Sequence, residues 1–170
     1  YGIPPILLGA LGPKMTEMAG EVADGLIMHP FNNMTFIKEQ ALPALQKGLD
    51  KNANKDAFIT LVNAIIITGD TEEQMKAAKE SVRSLLGFYG STPAYIPPMA
   101  AVGYADLQPE LNRMSKEGRW DELPNLITDE FVEHFAIVAE PKDVAAEMIK
   151  RYGDIATRVS IYAPYAAPDE

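Results

Sequence analysis

The sequence predicts an α/β fold built on a parallel β-sheet. Short aliphatic runs, typical of strands buried on both faces, alternate along the chain with segments whose apolar residues recur at helical spacing. The first β-α-β unit is complete by residue 29, which is compact enough to be the repeating unit of a parallel sheet.

Four strands are expected. The strongest is the run 58–68, FITLVNAIIIT, because it is rich in β-branched and aliphatic residues. The other three are expected at residues 6–11, 26–29 and 158–163.

Helices are expected between these strands. Pro13 is suited to the first position of a helix over 13–23, and Asp70 or Thr71 is suited to cap the helix that follows the third strand. Pro43 should distort the middle of its helix, and the prolines of 89–104 should interrupt regular structure. The remaining expected helices are 34–49, 105–117, 128–138 and 140–153, the last ending at Gly153.

Composition narrows the classes of function. A net charge of −9 disfavours nucleic acid, whose binding needs basic surface. No apolar run is long enough to span a membrane and no secretory signal is recognisable, so we expect a cytoplasmic protein. With no cysteine and only two distant histidines, His29 and His134, we expect no metal site.

Both ends of the sequence predict a chain cut from a longer protein. Tyr1 leads almost directly into an apolar run, and residues 166–170 follow the last expected strand without a helix to cover it.

Two blocks of sequence resemble the luciferase-like monooxygenase superfamily, and most closely its deazaflavin (F420)-dependent branch. Residues 5–13 (PILLGALGP) and 19–25 (AGEVADG) resemble the fifth strand and following helix of that family. Residues 140–145 (EPKDVA), 151–153 (RYG) and 158–164 (RVSIYAP) resemble its last crossover helix and eighth strand. The resemblance covers nearly the whole chain.

The resemblance implies half of a (β/α)8 TIM barrel. The four strands would be the fifth to eighth of the barrel, with a helical insertion before the last strand, and residues 1–170 would form the C-terminal half of a longer domain. Unpaired strand edges in such a half-barrel predict a homodimer or higher homo-oligomer.

The implied function is that of an oxidoreductase or monooxygenase moving a hydride between a bound cofactor and a small organic substrate. F420 is the first choice of cofactor and FMN the second. The proton-transfer residues would lie in the N-terminal half, so no catalytic residue is assigned here and the fragment alone should be inactive. The alternative is a non-catalytic half-barrel that assembles with itself and at most binds a ligand.

A cofactor site is expected where the first strand ends in Gly-Pro at a helix N-terminus. Gly12, Lys14 and Met15 can each donate a backbone N–H to an anion there, whereas Pro13 cannot. The resemblance implies that these three residues contact the phosphate-bearing tail of the cofactor. The alternative is a plain turn whose N–H groups bind water.

A substrate site is expected at His29, at the carboxyl end of its strand, where barrel enzymes place functional side chains. The resemblance implies a substrate contact here, although glucose-6-phosphate-type relatives carry a Thr. Asn32 is expected to line the same opening. The alternatives are a packing histidine and ordinary turn chemistry.

Several other polar residues have two interpretations. Asn63 interrupts the strongest strand and either points into the barrel or is a satisfied structural amide. Tyr89, Tyr95 and Tyr104 belong either to a mobile insertion over the active-site mouth or to ordinary loop packing. Asp24 is expected to stabilise its turn.

Overall fold

A computed structural model describes residues 2–165. The strands are β1 (Leu7–Ala10), β2 (Gly25–Met28), β3 (Ile59–Ile67), β4 (Ala136–Val138) and β5 (Arg158–Tyr162). The α-helices are α1 (Pro13–Val22), α2 (Met34–Phe36), α3 (Leu42–Leu49), α4 (Glu72–Gly90), α5 (Ile96–Ala100), α6 (Gln108–Lys116), α7 (Asp129–Phe135) and α8 (Val144–Tyr152). Short 3-10 helices lie at Lys55–Ala57, Pro93–Tyr95, Ala105–Leu107 and Trp120–Leu126.

Every strand pairing in the described residues is parallel. β1 pairs with β2, and β2 pairs with the first residues of β3. The middle of β3 pairs with β5, and its last three residues pair with β4. β3 is therefore the strand on which the sheet is built.

Helices cover one face of the sheet. Val62, Ala64 and Ile66 of β3 point to this face and are almost completely buried. They form one apolar core with residues of α1, α3 and α8, including Ala19, Leu45, Val144 and Tyr152. This is the helix layer that surrounds the strands of a (β/α)8 barrel.

The helix layer depends on glycine at one contact. A Cβ atom on Gly20 of α1 would lie 2.7 Å from the carbonyl oxygen of Leu45 in α3, so the two helices pack backbone against backbone. This close contact explains the Ala-Gly pair in the first block of family-like sequence.

The opposite face is covered only near the carboxyl end of β3. There Ile65 and Ile67 are buried in a second core, formed with α4 and with the helical segments between residues 93 and 135. Closer to the amino ends, Gly9 and Ser160 are exposed and Leu61 is half-buried. One face of the sheet is thus layered and the other largely open, as in half of a barrel.

The structure confirms the predicted α/β fold and the helical insertion before the last strand, which is formed by the helical segments between residues 93 and 135. Pro13 begins α1, Thr71 caps α4 by accepting the N–H of Gln74, and Gly153 ends α8. The backbone ahead of Pro43 is a π-helix, Ile37–Ala41, which is the expected distortion around a residue without an N–H. Asp24 accepts the N–H of Ile6 at 2.8 Å and so stabilises its turn.

Three expectations were wrong in detail. The prolines of 89–104 do not interrupt regular structure, because Pro93 begins a 3-10 helix and Pro97 and Pro98 lie in the first turn of α5. The sheet has five strands, not four, because the helix expected over 128–138 ends at Phe135 and the next three residues form β4. Pairing with Ile65–Ile67 of β3 stabilises this short strand, and no local pattern reveals that contact. The helix expected from residue 140 begins at Val144.

Tyr1 and residues 166–170, where the cut ends were expected, lie outside the described residues. Within residues 2–165, no helix is both long enough and apolar enough to cross a lipid bilayer.

Large apolar side chains are exposed along the open sides of the sheet. Ile6, just before β1, is 61% exposed and Ile161 in β5 is 60% exposed. Within residues 2–165, β1 pairs only with β2, and β5 pairs only with β3. Both outer strands therefore present an unpaired edge beside apolar surface.

We expect the isolated 170-residue chain to associate through these edges, because a second copy can pair with them and cover the apolar side chains. Sedimentation equilibrium should give a mass of at least twice 18.6 kDa. Ile161→Arg should shift the mass toward the monomer. Trp120→Arg, which alters an exposed aromatic on the insertion, should leave it unchanged. A monomeric wild type, or a dimer broken only by Trp120→Arg, would contradict this interface.

Candidate functional site

The carboxyl ends of the parallel strands lie at one edge of the sheet. Leu11 and Gly12 leave β1 at this edge, His29 directly follows β2, and Thr68 directly follows β3. Barrel enzymes build their active sites from the loops at this edge.

A cavity of about 390 Å³ opens here, between the ends of β1 and β2 and the helical insertion. Its lining is mostly apolar, and only three polar side chains reach it: His29, Asn63 and Tyr95. The full lining is Gly9, Ala10, Leu11, Met15, Ile27, His29, Pro30, Asn63 and Tyr95. An apolar cavity with a few converging polar groups is typical of small-molecule sites.

Hydrogen bonds fix the orientation of His29. Its Nδ1 accepts the backbone N–H of Phe31 at 3.1 Å, and its Nε2 lies 3.2 Å from the hydroxyl oxygen of Tyr95. The side-chain amide of Asn32 donates to the His29 carbonyl oxygen. Both ring nitrogens of His29 are therefore engaged.

Aromatic rings surround the imidazole. The ring centroid of Tyr95 lies 4.8 Å from that of His29, and Tyr89 meets His29 edge-on at 5.0 Å. Phe31 is fully buried beside them and stacks on Phe135 of α7 at 4.5 Å. The insertion thus encloses the histidine from the side opposite the sheet.

Burial changes two acid-base equilibria in this cluster. It lowers the pKa of His29 below the ordinary value of 6.5, because desolvation disfavours the imidazolium. Burial, together with a hydrogen bond to Tyr162, raises the pKa of Tyr89. His29 and Tyr89 are both neutral near pH 7.

The N-terminus of α1 lies beside the same cavity. The first hydrogen bond of the helix joins the N–H of Thr16 to the carbonyl oxygen of Gly12 at 3.0 Å. The N–H groups of Lys14 and Met15 therefore have no partner within the helix, and no side chain caps this end. Met15 lines the cavity, while Gly12 and Lys14 are exposed at the same helix terminus.

The structure brings two of the sequence-predicted residues to one cavity, Met15 from the cofactor set and His29 from the substrate set. Gly12 and Lys14 do not line that cavity. Asn32 does not line it either: it is 4% exposed and acts on the site by holding the His29 backbone. The assigned binding roles of all five residues remain predictions.

Two lining residues were not assigned to the site from sequence. Asn63 is half-buried on the open face, and no hydrogen bond of its side-chain amide is found within residues 2–165. Its position as an amide between the apolar residues Val62 and Ala64 of β3 was the available signal. Tyr95 was grouped with Tyr89 and Tyr104, but Tyr104 packs on Phe131 instead and does not line the cavity.

A second cavity, of about 680 Å³, lies beside the N-terminus of α4. Its lysines are accompanied by carboxylates; Lys142, for example, lies 2.7 Å from Glu140. It offers a ligand little net charge and no histidine or tyrosine. No group of three or more metal-ligating side chains is found in the described part of the chain.

We expect His29 to make stability depend on pH. Its pKa is lower in the folded chain, so the unfolded chain takes up a proton first as the pH falls. This contribution to stability is complete above about pH 6.5 and is lost as the pH falls toward the folded pKa. Urea unfolding from about pH 7.5 to about pH 5 should show a smaller loss of stability in His29→Gln than in wild type. An equal loss would contradict the buried neutral imidazole, and His134→Gln is the matched control.

Comparison with known proteins identifies the family. The family model described as luciferase-like monooxygenase matches residues 1–158. An uncharacterized protein of Mycobacterium tuberculosis is 37% identical over 160 residues, which cover 94% of this chain and 47% of that protein. The 5,10-methylenetetrahydromethanopterin reductase of Archaeoglobus fulgidus is 29% identical over 84% of this chain and 43% of the reductase.

The fold agrees with this match. The structure of the coenzyme F420 dependent tetrahydromethanopterin reductase from Methanopyrus kandleri superposes with a TM-score of 0.75 at 20% identity, over 97% of this chain and 46% of that one. This chain spans about half the length of the curated relatives it matches. Because the family model matches nearly all of its residues, the chain belongs to the luciferase-like monooxygenase family.

Proposed function

We propose that this chain forms the C-terminal half of an F420-dependent oxidoreductase barrel that acts on a small organic substrate. The observation that carries the proposal is the cavity at the carboxyl ends of the strands, which has Met15 at the N-terminus of α1 on one side and His29 on the other. The names of the reductase relatives support an oxidoreductase, and the shared fold supports a barrel.

The N-terminus of α1 fits the phosphate-bearing part of the cofactor. The N–H groups of Lys14 and Met15 are free of intrahelical partners, and the helix dipole favours an anion there. A Cβ atom on Gly12 would meet nothing within 4 Å, so the backbone is open to close approach from outside. Bound F420 would supply the carbon that donates or accepts the hydride.

The His29 side of the cavity fits the substrate. Tyr89 of α4 and Tyr95 of the insertion pack against the imidazole and limit its contact with water. Asn63 offers an amide that makes no hydrogen bond within residues 2–165. The role of this half is to bind and orient, and proton transfer is assigned to the N-terminal half of the barrel.

FMN is the alternative cofactor, since the same helix terminus suits the phosphate of either molecule. The alternative function is a non-catalytic half-barrel that associates with itself and at most binds a ligand, which the open face of the sheet favours. A cytoplasmic location also remains a prediction.

Replacing Gly12 by Val should weaken F420 binding by the full-length protein at least tenfold, because the branched side chain obstructs the approach of a phosphate to the backbone. The fold should be unaffected, since Gly12 has φ −70° and open space around it. Cofactor fluorescence titration gives the affinity, and circular dichroism tests the fold.

Gly2→Val is the matched control, because a Cβ atom at Gly2 also meets nothing within 4 Å. Equal F420 affinities in a folded Gly12→Val protein and in this control would remove the cofactor role from the α1 N-terminus. A protein that binds neither F420 nor FMN would favour the non-catalytic alternative.

Replacing His29 by Ala should reduce substrate turnover more than cofactor affinity, because the imidazole borders the substrate side of the cavity. Steady-state kinetics at saturating F420 and cofactor titration separate the two effects. A loss of F420 affinity with unchanged turnover of the loaded enzyme would show that the two sides were assigned the wrong way round.

A further inference from the structure

The hydrogen bonds around His29 have a defined direction. The Phe31 backbone N–H can only donate, so His29 Nδ1 must accept through its lone pair. A neutral imidazole carries one N–H, and with Nδ1 acting as acceptor that hydrogen is on Nε2. The lowered pKa of His29 agrees with a ring that stays neutral.

The position of this hydrogen also determines which group donates in the hydrogen bond between His29 and Tyr95. Nε2 lies 3.2 Å from the Tyr95 hydroxyl oxygen, which therefore accepts the hydrogen bond from Nε2–H. The hydroxyl hydrogen of Tyr95 then points away from His29. Within residues 2–165, no other group forms a hydrogen bond with this hydroxyl, and Tyr95 lines the cavity.

We propose that Tyr95 is the hydrogen-bond donor that binds an oxygen atom of the substrate, and that His29 is a positioning residue that orients this donor. The inference deepens the proposed function and rests on it. In a hydride transfer to a carbonyl carbon, negative charge develops on the carbonyl oxygen, and a donor already directed at that oxygen stabilises the charge.

The cavity lining restricts which oxygen-containing group of a substrate can bind beside Tyr95. It contains no lysine, arginine, aspartate or glutamate, so on the His29 side, away from the α1 N-terminus, no charged side chain compensates a charged group. The side chains of Ile27 and Pro30 favour an apolar substrate body instead. The substrate portion bound here is therefore an uncharged carbonyl group, such as that of a ketone, or the alcohol that corresponds to it.

The arrangement differs from simple packing of a histidine against a tyrosine. Packing needs only the aromatic ring, whereas the proposal needs the hydroxyl and its direction. Tyr95→Phe removes the hydroxyl and keeps the ring, so it separates the two explanations. Tyr104→Phe is the matched control, since Tyr104 belongs to the same insertion but lies against Phe131.

The first measurement is nitrogen NMR of ¹⁵N-histidine in the full-length protein. The resonances of His29 are those that disappear in His29→Gln, and those of the other histidine of this chain disappear in His134→Gln. We expect a neutral ring with hydrogen on Nε2 at pH 7, and a displaced Nε2 resonance in Tyr95→Phe. Hydrogen on Nδ1, or a charged ring at that pH, would overturn the proposal.

The second measurement uses cyclohexanone labelled with ¹³C at the carbonyl as a probe. A hydrogen bond from Tyr95 should move the bound carbonyl resonance downfield, and Tyr95→Phe should remove that shift and weaken binding about 3- to 10-fold. His29→Phe should diminish the shift, and Tyr104→Phe should leave it intact. No binding of the ketone, or equal shifts in Tyr95→Phe and wild type, would overturn the proposal.

These outcomes are separable from failure of the proposed function, because neither measurement uses F420. A protein that binds F420 but shows no effect of Tyr95→Phe would refute the donor role alone. A protein that binds the ketone through Tyr95 but ignores F420 would refute the cofactor assignment and retain the donor.

Discussion

The parallel pairing of β3 is the interaction on which the rest of the structure depends. β3 is the longest strand of the sheet, and it contacts β2, β4 and β5 through successive parts of its length. Val62 and Ile67 have no exposed surface, although they point to opposite faces. Because the side chains of β3 are apolar on both faces, the helix layer packs on one side of the strand and the insertion packs on the other. Both cores therefore contain residues of β3.

The cluster of side chains around His29 arises where the two cores approach each other. Phe31 lies just after β2 and is fully buried against Phe135 of the insertion. The carboxyl end of β2 is therefore packed against the insertion as well as paired within the sheet. The same turn places the Phe31 N–H on His29 and presents the imidazole to Tyr95. Packing energy at Phe31 therefore fixes the geometry of the neighbouring polar groups, which by themselves would not hold a long loop in place.

The sequence was sufficient where local pattern decides the structure. The aliphatic content of 58–68, the proline that begins α1 and the threonine that caps α4 all act through nearby backbone, and each was confirmed. β4 was missed because a three-residue strand has too little pattern of its own and depends on β3.

The contact between His29 and Tyr95 joins residues 66 positions apart, so it follows from how the insertion folds over the sheet and from no spacing in the sequence. Asn63 gave a local signal, but whether a buried-strand amide is satisfied or open depends on neighbours that only the tertiary structure supplies.

The open face of the sheet differs in chemistry from the apolar surface exposed on its last strand and on α8. The interior of a (β/α)8 barrel is normally filled by bulky branched side chains. On the open face of this sheet, the corresponding positions include Ile27 and Leu61 but also Gly9, Asn63 and Ser160, which are too small or too polar to complete such a core. The exposed apolar residues lie elsewhere, at Ile161 on the last strand and at Ile149 on α8, which is 71% exposed. Apolar surface at the edges and helix layer favours burial against more protein, because its exposure to water is costly. The small residues on the open face leave free volume beside His29 and Asn63, which is a property of small-molecule sites.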